Sequence, residues 1–95
     1  MATRASSVNT AHASTESIKE QLGFAKLYED LAGAVGGNNF ILLQKKDAIK
    51  RFLEPLPDEQ RREYERAARL LAKTEKERVA AASVTLIVAD LTSTP

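Results

Sequence analysis

Residues 17–37 read SIKEQLGFAKLYEDLAGAVGG, and the spacing within them decides the fold class. Phe24, Tyr28, Leu31 and Val35 recur at intervals of four, three and four, the period of an α-helix with one face turned to a core. Leu27 and Ala32 widen that stripe, while Lys19, Lys26 and Asp30 lie on the opposite side. Ser17 and Glu20 stand three apart at its head, the pattern of a capping box. In that arrangement hydroxyl and carboxylate each accept from an orphan backbone donor. Gly36 and Gly37 close the segment, because glycine enters the left-handed conformation that ends helices without steric cost. The spacing predicts a helix over about 17–35.

Upstream, residues 1–16 are mostly Ala, Ser, Thr and Asn with almost no apolar residue to hold them down. Such a stretch cannot offset its ordering entropy, so a flexible tail is expected there, with 17–95 forming a single helical domain. Downstream, Asn38 or Asn39 can cap a second helix over about 39–53, placing Leu42, Ile49, Phe52 and Leu56 on one side. Pro55 and Pro57 forbid its continuation. The apolar run at 40–43 suits a buried helical start or a short strand, and the helical reading is preferred.

A longer C-terminal helix is expected from about 58 to 82 or beyond. Pro57 suits its first turn, and Asp58 and Glu59 complement the positive end of its dipole. Tyr64, Ala67, Ala68 and Leu71 make its apolar face. Past Val79 the pattern changes: Val84, Ile87, Val88 and Leu91 fall on nearly the opposite face of a straight extension. Either the helix continues with its far end buried against a partner, or a short strand forms at 83–89, where Val, Thr and Ile collect. Ala80, Ala81 and Ala82 propagate a helix well, which favours the first reading. The expected fold is all-α, a helical hairpin followed by a longer helix.

Composition bounds what such a domain can do. A chain of 95 residues has room for one core, and pairing with a second copy would enlarge it. Only three Phe and two Tyr are present, with no Trp, so Leu, Ile, Val and Ala are expected to carry the core. The absence of cysteine excludes disulfides and thiolate chemistry. A net charge of +1 argues against a field that gathers nucleic acid or anionic lipid over the whole surface. The longest apolar stretch, 79–89, is far too short to span a bilayer, and no secretory signal is visible. A soluble, cytoplasmic protein without membrane contact is the expectation.

Catalytic chemistry finds little to use. His12, the sole histidine, sits in the expected tail, away from any convergent partner. Adjacent Glu29 and Asp30 point about 100° apart on a helix and cannot share a substrate, and Glu16 with Glu20 reads as a solvated face. The glycines at 33, 36 and 37 lack the Gly-Lys-Ser/Thr ending of a phosphate loop. No metal-ligand spacing occurs. A non-catalytic protein without cofactor or metal is expected.

Two surface features remain. Arg62, Arg66, Arg69, Lys73 and Lys76 recur at spacings of four, three, four and three, and Lys45, Lys46, Lys50 and Arg51 cluster on the second helix. Such rows suit sequence-independent contact with the phosphates of duplex RNA or DNA, although acids at 58, 63 and 65 also pair with them as on any exposed helix. The second feature is the apolar set Leu71, Val79, Val84, Leu86, Ile87, Val88 and Leu91, which one chain does not easily absorb. The leading expectation is therefore a helical interaction or adaptor protein acting as a homodimer or on a helical partner. Nucleic-acid binding is the alternative.

Overall fold

Asn38 starts the second helix as its side chain suggests. Its carboxamide oxygen accepts from the backbone N–H of Phe40 at 2.7 Å and of Ile41 at 3.4 Å. In the computed structural model, which describes the backbone of residues 2–93 and the side chains of residues 17–92, this helix is the second of four. The order is α1 (Ala2–Ala34), α2 (Asn39–Leu53), α3 (Asp58–Leu71) and α4 (Glu75–Ser93). The run at 40–43 is helical, and 83–89 lies inside α4 rather than in a strand. The fold is all-α, as the patterns predict.

Two expectations are corrected. The first helix does not open at Ser17. It runs from Ala2 to Ala34, and Ser17 is an interior position whose hydroxyl accepts from the Gln21 carboxamide at 3.3 Å. No glycine or proline precedes Ser17, so nothing in the chain stops the helix there. The flexible tail expected over 1–16 lies outside the described side chains. At the far end the prediction holds: Gly36 takes φ +84, and Gly37 N–H donates to the carbonyl of Ala34 at 3.1 Å.

The second correction concerns the C-terminal half, where one long helix is expected and two are found. Ala72 leaves helical geometry with ψ 110, and α4 restarts at Glu75. A reciprocal capping box builds that restart. Thr74 Oγ1 accepts from Glu77 N–H at 3.1 Å, and Glu77 Oε1 accepts from Lys73 N–H at 2.9 Å and Thr74 N–H at 3.0 Å. Those hydrogen bonds hold the Glu77 carboxyl below its ordinary pKa. The break lets the chain fold back, so Val84 and Val88 bury inward beside Tyr64 and Ala68.

Leu, Ile, Val and Ala make up most of the core, as expected, around an aromatic centre. Four of the five aromatics gather in one cluster: Phe24 lies 4.5 Å from Tyr64, 5.8 Å from Phe52 and 6.2 Å from Tyr28, ring centre to ring centre. Around them pack Leu31, Ile49, Leu53, Ala80, Ala81, Val84 and Val88. Helix α4 packs against each of the other three, whereas the backbones of α1 and α3 stay apart and the two helices meet through side chains, Phe24 on Tyr64. Arg61 fastens the α2–α3 corner, donating to the carbonyls of Leu53 and Glu54, with an ion pair to Asp58 at 2.8 Å. Among the described residues no helix is long and apolar enough to cross a membrane.

Candidate functional site

Because α1 and α3 lie side by side without closing on each other, a groove of about 850 Å³ opens between them. Its floor is aromatic and small: Phe24, Tyr28, Ala32, Tyr64 and Ala68. On its lips stand Ile18, Leu22 and Leu71, exposed by 54%, 65% and 62%. Gln60 to Leu71 along α3 is about 16 Å at the helical rise, roughly three turns.

Two tyrosine hydroxyls hold the groove at its width. The Tyr64 hydroxyl donates to Glu20 Oε1 at 2.6 Å, joining α3 to α1 across the floor. The Tyr28 hydroxyl lies within reach of two carbonyls, Ala68 at 3.2 Å and Glu77 at 2.9 Å, so α1 is pinned to both α3 and α4. Burial raises the pKa of both phenols. At Tyr64 the hydrogen bond to Glu20 adds to it, and at Tyr28 the charge of Glu77 does. Both therefore stay protonated as donors at neutral pH.

The rim is acidic. Glu20, Glu29, Glu63 and Glu77 line the groove against a single cation, Lys73. Glu77 is occupied by the capping box and Glu20 by Tyr64, but Glu29 and Glu63 are exposed and make no ion pair with a described residue. The groove is not among the features that the sequence predicts. Its signal was present only as surplus: Ile18 and Leu22 lie off the Phe24–Tyr28 stripe and have no partner within a hairpin.

The residues expected to act divide among several places. Of the apolar set, Val84 and Val88 are core, Ile87 and Leu91 pack partly buried against it, and Leu71, Val79 and Leu86 remain exposed. The helix break separates the basic stripe. Arg62, Arg66 and Arg69 border a smaller groove of about 360 Å³ facing Thr85, Ala89 and Thr92 of α4. Lys73 lies instead on the acidic groove, and Lys76 on the first turn of α4. Arg69 pairs with Glu65 at 3.5 Å, leaving Arg62 and Arg66 without an ion pair to a described residue. On α2, Lys45 and Lys46 are half-buried, Lys50 is exposed, and Arg51 pairs with Asp47 at 2.8 Å.

Among the described residues no three His, Cys, Asp or Glu converge as metal ligands would. No family model matches the chain, and no curated protein or solved structure matches it.

Proposed function

We propose that this is a non-catalytic interaction protein that holds a partner helix in the groove between α1 and α3. The observation that carries the reading is the apolar floor with Ile18, Leu22 and Leu71 exposed along its lips. An amphipathic helix laid there would cover those side chains with its apolar face, the helix-in-groove mode of recognition. A groove walled by two helices suits a rod better than a compact metabolite. The nucleic-acid reading is the weaker one, because three arginines rather than five cations now share a side.

The test is a titration of the full chain with synthetic amphipathic helices of about twelve residues, matched to the 16 Å groove. Two peptides share a leucine face and differ in lysine or glutamate flanks. Binding by fluorescence anisotropy is expected, and the Leu22→Asp, Leu71→Asp double variant should lose it while keeping its helical spectrum. Failure of both peptides at several hundred micromolar, or binding unchanged in the double variant, removes the groove as a docking site.

A further inference from the structure

The groove is one half of a complementary pair, and the other half is on the same chain. Helix α2 buries Ile49 and Leu53 against the core and turns Phe40, Leu43, Lys50 and Arg51 outward. Phe40 and Leu43 are exposed by 68% and 64%, and neighbouring Ile41 by 45%, which makes this first turn and a half an uncovered apolar knob. Behind the knob the helix is basic, with Lys45, Lys46, Lys50 and Arg51 against Asp47 alone. The groove has the opposite balance, four glutamates against Lys73. The lengths agree as well: Phe40 to Arg51 spans the same eleven residue steps as Gln60 to Leu71, about 16 Å.

We infer that the occupant of the groove is α2 of a second copy of this chain, seated with Phe40 and Leu43 against its apolar lips and floor and with its cations toward the acidic rim. This rests on the groove reading above and names its partner. Knob and groove are different surfaces, so the contact is head to tail. A bound pair keeps one free knob on one copy and one free groove on the other, and the assembly either closes into a ring or grows as a filament. A single helix in a groove is a small interface, which places the affinity in the micromolar range of transient contacts. Opposite charges across it make association weaken as salt rises.

The experiment is sedimentation velocity on the full chain from low to several hundred micromolar, with two variants that each remove one half. Phe40→Asp destroys the knob, and an acid in the first turn of α2 suits the helix dipole, so folding is preserved. Leu22→Asp destroys the groove lip at an exposed position. The wild type should grow in mass with concentration, and more so at low salt. Each variant alone should sediment as a monomer, with its self-affinity lowered at least tenfold. Mixed in equal amounts, they should form a dimer and nothing larger, because one intact groove meets one intact knob. A wild type that remains monomeric overturns the inference, as does a Phe40→Asp variant that still assembles or a mixture that does not pair. A monomeric wild type that still binds a synthetic amphipathic helix, and loses it with Leu22→Asp, overturns self-docking while the groove reading stands.

Discussion

Tyr64 shows how one side chain serves both core and site. Its ring packs at 4.5 Å on Phe24 and 5.6 Å on Phe52, while its hydroxyl spans to Glu20 on α1. The phenol pKa is raised above its ordinary value of 10.0 by burial, then by the Glu20 hydrogen bond and charge. A raised folded-state pKa means the protonated form is the one stabilised, so the contribution is complete below about pH 10 and is lost as pH rises through the folded value. Tyr28 shifts in the same direction. Because these are the two tyrosines of the chain, ultraviolet titration of the phenolates reads them directly. Ionisation of both above pH 10, coincident with alkaline unfolding, is expected; normal titration of either contradicts the geometry. Tyr64→Phe should cost about 1–2 kcal/mol at neutral pH, the worth of a hydrogen bond to a charged acceptor, and should flatten the alkaline loss.

At the scale of elements, the same motif occurs twice and acts once. Ser17 and Glu20 have capping-box spacing, and so do Thr74 and Glu77, yet only the second pair caps a helix. Thr74→Ala should therefore lower stability by about 1 kcal/mol, as a lost N-cap does, whereas Ser17→Ala should fall within error. Paired denaturation curves check both, and equal losses would contradict the assigned start of α1 or of α4. This pair also shows how far the elements were legible. The second helix, with Asn38 before it and Pro55 after, was readable because its punctuation is local. The join at Ala72, Lys73 and Thr74 carries no glycine or proline, and its one local signal, the spacing of Thr74 and Glu77, is ambiguous by itself, as the same spacing at Ser17 and Glu20 shows. What selects the break is a distant demand: Val84 and Val88 must reach the side where Tyr64 and Ala68 are buried. The apparent face reversal after Val79 was that demand, read as a sign of a partner when it marked a turn.

The whole molecule carries charge of both signs in separate places, so its near-zero sum says little about what it attracts. The groove rim is acidic, the outer side of α2 is basic, and Arg62, Arg66 and Arg69 form a third region. If those arginines grip a duplex, three phosphates imply a log–log salt slope near −2.7, shallower than the roughly −4.5 of an unbroken five-residue stripe. Titration of duplex DNA at several salt concentrations, with Arg62→Glu and Arg66→Glu together as the control, measures it; no binding at low salt removes the nucleic-acid alternative. The candidate site was less legible than the fold, since a groove is a relation between helices that are far apart in the chain. Glu20 and Tyr64 are 44 residues apart, and neither has a neighbour that announces the other. The position of α4 has a consequence for how the protein is made. Ala80, Ala81, Val84 and Val88 cover the inner faces of helices whose backbones stay apart between α1 and α3. During synthesis the first three helices can form as they emerge, but they keep those faces wet until α4 has left the ribosome. A nonsense mutation ahead of Glu75 would thus release a chain that is mostly helical yet sticky, a substrate for chaperones and proteases rather than a shortened working protein.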